Sequence, residues 1–288
     1  MNSRRFIMIL AAAIVAICAA LGVAHWRGGT SEPEGGLLLP RLSGQLSTVT
    51  SVTIRKGAAL PAVMLHKQGD RWTVAQRAEY PADIAKLRKL LQALASTRIV
   101  EEKSSDPANY RALGVDNPDD PDAIGTEIRI VSPEASHSII VGKPSAGGNF
   151  VRLSQQARGL LVSPGISSDA EPRDWIDARL LDIQAAQVQQ IEIKSGKEPA
   201  FRRKDTDFGA LADFSALDVA AADGVDMKGA MTATVTLTDG VLITLTGVTA
   251  QDKHWLIVKS SADTALTEKA RGRAYEISAS RYDSIFKP

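Results

Sequence analysis

Cysteine is nearly absent from this sequence, and aromatic residues are scarce. The one cysteine among 288 residues is Cys18, which lies inside an apolar stretch, so no disulfide can form within the chain. Ile17 precedes it, whereas a lipidated cysteine is expected after a small residue. Aromatic residues make up 5% of the chain, so the core has to consist mainly of leucine, isoleucine, valine and alanine. These absences predict a fold that depends neither on a disulfide nor on a lipid attached to Cys18.

An excess of charge is also missing. The formal net charge is +1 at pH 7, and Arg4 and Arg5 stand before the apolar stretch, so the rest of the chain is close to neutral. Binding to nucleic acid needs a basic field over a large surface. We therefore expect no nucleic acid among the partners.

Sequence motifs for covalent catalysis and nucleotide binding are missing as well. The chain has no Gly-x-Ser-x-Gly, and no Ser-x-x-Lys stands at the start of a predicted helix. The segment Gly142–Ser145 (GKPS) resembles a phosphate-binding loop only loosely, because the hydroxyl residue Ser145 does not follow Lys143 directly. A phosphate-binding loop also leads into a helix, whereas this segment joins two predicted strands. We predict a hairpin loop here, with no bound nucleotide, no cofactor and no catalytic residue.

Metal-ligand spacing is not found either. The four histidines are scattered, without a His-x-x-x-His pair on one helical face: His25, His66, His137 and His254. The acidic stretch Asp116–Asp122 (DNPDDPD) could be read as a calcium loop that ends at Glu127. However, Pro118 takes the place of a ligand, and Pro121 takes the place of the glycine that such a loop needs. We predict a solvated turn and no metal.

One long apolar run is present, and it begins near the N-terminus. Phe6–Val23 (FIMILAAAIVAICAALGV) is eighteen residues without a charge. As a helix it would be about 27 Å long, close to the thickness of the hydrocarbon core of a bilayer. We predict that residues 6–24 are a single-pass anchor in the inner membrane. A cleavable signal peptide is the alternative, because Gly22–Ala24 is an acceptable cleavage site.

The charges that flank this run predict its orientation. Arg4 and Arg5 precede it, and only Arg27 follows closely. The positive-inside rule then keeps residues 1–5 as a cytoplasmic tip and places the body on the periplasmic, extracytoplasmic side. Residues 25–46 are rich in glycine, proline and serine, which predicts a flexible linker.

Beyond the linker, the strand patterns occur twice. Alternating apolar and polar residues, typical of half-buried strands, end in glycine in two pairs of segments: Val49–Gly57 with Val188–Gly196, and Thr126–Gly142 with Thr232–Gly247. We therefore predict an α+β fold with two copies of one mainly antiparallel unit, at residues 47–185 and 186–288.

A few helices are predicted to cover the sheets. The segment Tyr80–Leu94 (YPADIAKLRKLLQAL) carries an apolar stripe on one face, as an amphipathic helix does. The stripe consists of Ile84, Leu87, Leu91 and Leu94, and Leu90 widens it. Each copy is also predicted to end in a helix, PRDWIDARLL in the first and SRYDSIF in the second.

Several of these segments resemble the bacterial envelope family called domain of unknown function 4340. The similarity extends over roughly Val49–Ile193 and is carried by five stretches: YPADIAKLRKLLQALASTRIVEE, ANYRALGVDNP, IIVGKPSAGGNFVRL, DWIDARLLDI and VQQIEIKSG. The resemblance implies an exported protein with a single anchor, and relatives are found beside ABC-type transport systems, including those of gliding motility. It implies no catalytic residue. With no nucleotide-binding motif and one apolar run, this chain would be an auxiliary part of such a system.

The sequence thus favours a non-enzymatic accessory or adaptor protein that binds subunits of a transport complex. Exposed sheet edges, or the basic hairpin near Arg202, are its candidate contact surfaces. A module that binds a lipid or glycan in a groove between the two copies is the alternative. A cell-envelope hydrolase that uses Asp174 and Asp177, three residues apart on one predicted helix, is a more remote one.

Overall fold

The computed structural model describes residues 35–57, 63–196, 200–202, 208–262 and 264–287. The predicted anchor, residues 6–24, lies outside this part of the chain. Among the helices of the described residues, none combines the length and the apolar character that crossing a bilayer requires.

The first sheet has nine strands, and all of its neighbouring pairs are antiparallel. Their order is β4-β3-β2-β1-β6-β7-β8-β9-β5. The strands are β1 Ser51–Lys56, β2 Val63–Gln68, β3 Arg71–Val74, β4 Tyr80–Pro81, β5 Arg98–Ser104, β6 Thr126–Val131, β7 Ser136–Ser145, β8 Gly148–Leu153 and β9 Gly159–Ser163.

The second sheet has seven antiparallel strands in the order β12-β11-β15-β16-β17-β18-β14. The strands are β11 Val188–Ser195, β12 Phe201–Arg202, β14 Asp218–Ala221, β15 Met231–Leu237, β16 Leu242–Ala250, β17 Lys253–Ser260 and β18 Arg273–Ile277. Two further strands, β10 Arg179–Leu181 and β13 Phe214–Ser215, pair with each other. In chain order, these seven strands follow the same path as β2-β1-β6-β7-β8-β9-β5 of the first sheet.

Among the residues that the structure describes, four α-helices accompany the sheets: α1 Ile84–Ser96, α2 Tyr110–Leu113, α3 Thr264–Ala270 and α4 Ala279–Phe286. Helix α1 confirms the amphipathic pattern for its leucines, which are buried whereas Lys86 and Arg88 lie off that face. Ile84, the first residue of the predicted stripe, is instead 41% exposed. The side chain of Asp83 caps the helix by accepting a hydrogen bond from the backbone nitrogen of Lys86 at 2.9 Å. The fold is therefore mainly antiparallel sheet with a few helices, as the α+β class predicts.

The helix predicted at the end of the first copy does not form. The segment PRDWIDARLL contains a 3-10 helix, Pro172–Trp175, and then runs into the short strand β10. Trp175 is 2% exposed, and its indole nitrogen donates to the carbonyl of Asp169 at 2.9 Å. Burial of this one large ring fixes a tight turn, which a regular helix could not provide. The C-terminal helix α4 does form, as predicted.

The flexible linker predicted for residues 25–46 ends earlier than its composition indicates. From Gly35 onward the chain pairs with β5, where the backbone nitrogens of Gly35 and Leu38 donate to the carbonyls of Ile99 and Thr97. Leu38 and Leu42 are 1% and 0% exposed. The prediction is wrong for residues 35–46, because the leucines among the glycines and prolines are core residues.

Most of the buried side chains of both sheets belong to one hydrophobic cluster. Ile140 of β7 instead packs with Tyr110 and Val115 in a second, smaller cluster. Helix α4 packs closely on β16, where a Cβ on Gly247 would lie 2.2 Å from the ring of Phe286. Gly247 therefore allows the C-terminal helix to lie directly against the second sheet.

Candidate functional site: the junction around helix α3

Helix α3 is one of the features in which the two sheets differ. Strands β17 and β18 are joined through α3, whereas the corresponding strands β8 and β9 are joined by only five residues, 154–158. Side chains of α3 and of the start of β18 contact Asp177 and Ala78, which both precede the second sheet in the chain. The junction, as we call it, consists of α3, the start of β18 and residues 77–81.

Arg273, at the start of β18, connects three parts of the junction. Its Nη2 donates to the carbonyls of Ala78 and Glu79 at 3.0 and 3.1 Å. Its Nη1 donates to the carbonyls of Glu268 and Lys269 at the end of α3, at 3.2 and 2.9 Å. A guanidinium can do this because its donors are held in one fixed plane.

The turn that Arg273 contacts is strained. Ala78 and Glu79 both adopt left-handed backbone conformations, with φ of 54° and 53°. For residues other than glycine each such conformation costs about 1–2 kcal/mol. The contacts of Arg273 with the carbonyl groups of these two residues help to offset that cost.

Two ion pairs reinforce the junction. Arg77 binds the carboxylate of Asp218 on β14, with 3.0 Å between Nη2 and Oδ2. Lys269 of α3 lies 2.6 Å from Oδ2 of Asp177. These ion pairs connect Arg77 to β14 and Asp177 to α3, so the charges stabilise the packing of these elements.

Asp177 is one of the two carboxylates considered for a hydrolase, and Asp174 lies in the preceding 3-10 helix. The predicted pair of carboxylates on one helix is therefore not formed.

Two tyrosines form the apolar centre of the junction. Tyr80 and Tyr275 are both fully buried, with ring centroids 5.8 Å apart in an edge-to-face arrangement. The ammonium group of Lys269 and the guanidinium of Arg273 lie 5.4 and 5.5 Å from the centroid of the Tyr80 ring. Burial raises the pKa of Tyr275 to about 12 and raises that of Tyr80 still further. Both hydroxyls therefore stay protonated at neutral pH, and neither is suited to act as a base.

The two hydroxyls differ in their hydrogen bonds, which leads to a paired prediction. The hydroxyl of Tyr275 donates to the carbonyl of Lys269 at 2.8 Å, whereas that of Tyr80 has no hydrogen-bond partner among the described residues. We expect Tyr275→Phe to lower the free energy of unfolding by about 1 kcal/mol. Tyr80→Phe should leave it unchanged or raise it by up to about 1 kcal/mol, because it removes a buried polar group without a partner. Urea denaturation of the two variants measures both effects, and an equal loss in both would contradict the assignment.

A polar cleft of about 740 Å³ lies between α3 and the β2–β3 hairpin. Thr73 and Glu79 line it, and Oγ1 of Thr73 donates to Oε2 of Glu79 at 2.8 Å. His66 Nε2 lies 2.9 Å from the same carboxylate oxygen and 3.3 Å from the Thr73 hydroxyl. A catalytic triad needs the acid and the nucleophile on different ring nitrogens. Here both groups meet the same nitrogen, so the arrangement is a polar network and does not form a triad.

The acidic stretch that could be read as a calcium loop is bound by an arginine. Nη1 of Arg55 lies 2.7 Å from Asp119, and its Nη2 lies 3.0 Å from Glu127. Burial alone would raise the pKa of Glu127, but hydrogen bonds from Ser138, Arg55 and Arg129 outweigh it and leave this pKa below its ordinary value. Within the described ranges, no three His, Cys, Asp or Glu side chains come together as metal ligands.

The segment that resembles a phosphate-binding loop has a structural role. Lys143 donates to the carbonyl of Ala112 at 2.9 Å and thereby caps the end of α2. A Cβ on Gly142 would lie 2.4 Å from the carbonyl oxygen of Leu113, so glycine is needed for this close approach. Gly114 ends α2 with a left-handed φ of 74°. The ANYRALGVDNP and IIVGKPSAGGNFVRL stretches therefore contact each other directly.

The other residues that the sequence suggested as ligands or contact residues lie in separate parts of the described structure. His137 contacts Gln45, and His254 stacks on Tyr282 at 4.7 Å, both far along the chain from His66. Arg202 lies in β12 and pairs with Glu192 at 3.6 Å. His25, Cys18 and the residues Arg203 and Lys204 of the basic hairpin lie outside the described residues.

Sequence comparison identifies the family to which this part of the chain belongs. Residues 72–210 match the family described as Domain of unknown function (DUF4340). The match begins within the β2–β3 hairpin and ends in the 3-10 helix Phe208–Leu211, so it includes most of the first sheet and the first strands of the second. This protein therefore carries a DUF4340 domain. No curated protein and no solved structure matches the chain.

The junction is the site that sequence reasoning missed. Its residues come from segments nearly 200 positions apart, as the separation of 195 between Arg273 and Ala78 shows. The only local signal was the length of the β17–β18 connection, which exceeds that of the β8–β9 connection.

Proposed function

We propose that this protein is a membrane-anchored accessory protein of the bacterial envelope that works by binding other proteins and not by catalysis. Residues 6–24 form its single-pass anchor in the inner membrane, and the body lies on the periplasmic side. The body consists of two copies of one unit, which the shared strand order of the two sheets supports. Its partners are subunits of an ABC-type transport system.

The main support for this proposal is that the charged groups at the junction bind other groups of the protein itself. Arg77 binds Asp218 on β14 of the second sheet. Lys269 binds the carboxylate of Asp177, and Arg273 binds the carbonyl of Ala78. A site for acid–base catalysis needs titratable groups that are free to reach a substrate. The charged groups of the junction instead bind other groups of the protein and connect the two sheets, as a scaffold for binding requires.

The short connection to the anchor supports a partner at the membrane surface. Gly35 is already fixed to the carbonyl of Ile99 on β5. Ten residues, 25–34, lie between the proposed anchor and this point, and even fully extended they span at most about 36 Å. The body therefore stays within reach of a membrane-embedded permease.

Strand addition at the sheet edges is an unfavourable mode of binding. The edge strand β5 contains Glu101, Glu102 and Lys103 and has two irregularities in its pairing with β9. The edge strand β4 is only two residues long. Charges, irregularities and short length all oppose the pairing of an edge with another chain.

A groove beside α1 is the better surface for a partner. Its volume is about 490 Å³, and Trp72, Leu87 and Leu91 contribute apolar walls. Ile84, at the start of α1, is 41% exposed in this groove. An exposed apolar group among buried ones is typical of a residue that anchors a protein interface.

The test is recovery of partners from membranes with the full-length protein. We expect it to fractionate with the inner membrane and to recover permease or ATPase subunits in mild detergent. Ile84→Asp should reduce this recovery about tenfold or more, as the loss of an anchoring residue does. The matched control is Ile124→Asp, since Ile124 is 47% exposed but lies away from the groove, and it should change nothing. A full-length protein in the cytosol, or no transport subunit recovered by the unaltered protein, would overturn the proposal.

A further inference from the structure

A second cavity lies beside α3, on the side of the second sheet. It measures about 620 Å³, which is within the range of ligand pockets. Strands β16 and β17 form its floor, α3 forms one wall, and the connection between β14 and β15 forms another. We call it the α3 cavity. It is separate from the polar cleft, which α3 borders through Ala265, Glu268 and Lys269.

The walls of the α3 cavity are mostly apolar. Met227, Ile257 and Ala270 line it, each from a different wall. Strand alternation explains the place of Ile257, because its neighbours Leu256 and Val258 are buried in the core at 0% and 2% exposure. Ile257 points to the opposite face of the sheet and remains partly exposed there.

Three basic side chains also line the cavity: Lys259, Arg271 and Arg273. Lys259 follows Ile257 by two positions on the same face of β17 and has no ion pair with any residue that the structure describes. Arg271 has one described ion pair, with Glu268 at 2.9 Å, and both side chains are largely exposed. An exposed pair of this kind contributes little, so the guanidinium is available to a ligand. Arg273, by contrast, is fully engaged at the junction.

We propose that the α3 cavity binds an anionic amphiphile, with its hydrocarbon part on Ile257 and Met227 and its acidic group between Lys259 and Arg271. The apolar walls exclude a purely polar ligand such as a free sugar, because burying its hydroxyls without partners would be unfavourable. The two cations select a carboxylate or phosphate over an uncharged or cationic head group. Long-chain carboxylates and anionic phospholipids share this chemistry. This inference is independent of any transport partner.

The test uses the full chain in neutral phosphatidylcholine membranes and a photoreactive long-chain fatty acid. Peptide mapping should find the label on residues 222–230 and 253–273, and palmitate should compete it away. Hexadecanol and hexadecylamine, which have the same chain without the negative charge, should compete at least about tenfold less well, as the loss of two ionic contacts implies. Competition by phosphatidylglycerol instead of palmitate would identify a phospholipid as the ligand.

Variants separate the charges from the apolar walls. Lys259→Glu combined with Arg271→Glu changes exposed side chains only and should reduce the labelling about tenfold or more. Lys194→Glu is the matched control, since Lys194 is an exposed lysine of the same sheet at the distant strand β11. Ile257→Asp should abolish the labelling while thermal unfolding shows an intact fold. Equal labelling of the double variant and the control, or equal competition by hexadecylamine, would overturn the proposal, whether or not transport subunits are recovered.

Discussion

Replacing Arg152 with leucine is expected to lower the free energy of unfolding by about 3–5 kcal/mol. Arg152 is 4% exposed, and its Nε donates to the carbonyl of Val115 at 2.9 Å. Its Nη2 donates to Oδ1 of Asn117 at 2.7 Å, and the guanidinium lies 4.6 Å from the ring centroid of Tyr110. Leucine would fill part of the space but would leave buried acceptors without donors.

Chemical denaturation measures this loss. The control is Arg111→Leu, since the Arg111 side chain is 66% exposed and its ion-pair partner Asp122 is 3.8 Å away. Exposed substitutions of this kind change stability by no more than about 0.5 kcal/mol. Similar stabilities of the two variants would show that Arg152 does not stabilise the residues after α2, Val115 and Asn117, to which it donates hydrogen bonds.

Arg152 also connects two of the stretches that carry the resemblance to the DUF4340 family. Arg152 belongs to the stretch IIVGKPSAGGNFVRL, and the groups that it binds belong to ANYRALGVDNP and the residues close to it. Lys143 and Gly142 of the first stretch contact the second one too. In this protein the two stretches therefore hold the residues after α2 on the first sheet, which is a structural role.

Replacing Arg273 with alanine is expected to lower the free energy of unfolding by about 2–4 kcal/mol. The change removes donors from the carbonyls of Ala78, Glu79 and Lys269, and it leaves the left-handed turn without its contacts to the second sheet. Arg273→Lys should recover little of the loss, because an ammonium group cannot reach both partners in the plane of a guanidinium fork.

Hydrogen exchange distinguishes a local loss from a global one. In Arg273→Ala, protection should fall first at residues 77–81 and in α3, while β6 and β7 in the centre of the first sheet keep theirs. Arg271→Ala, two positions earlier and 72% exposed at its side chain, is the control and should leave protection unchanged. Full rescue by lysine would show that charge alone, and not the fork of Arg273, stabilises the junction.

Segments with strong local patterns were predictable from the sequence. The alternation in Thr126–Gly142 and Thr232–Gly247 gave two hairpins whose strands pair as β6 with β7 and β15 with β16. Helix α1 followed from its leucine spacing, because one face must be buried whatever covers it. The segments around Leu38 and Trp175 were mispredicted, since their composition indicates a linker and a helix whereas long-range burial decides their structure.

The sequence by itself determined where strands alternate, where one amphipathic helix lies, and that no disulfide can form within this chain. It determined these features because each depends on residues close together along the chain. Only the tertiary structure decided that Arg77 meets Asp218, 141 positions away, and that α3 separates a polar cleft from an apolar cavity. Those contacts arise from the packing of two sheets, and no local pattern records which side chains will then face each other.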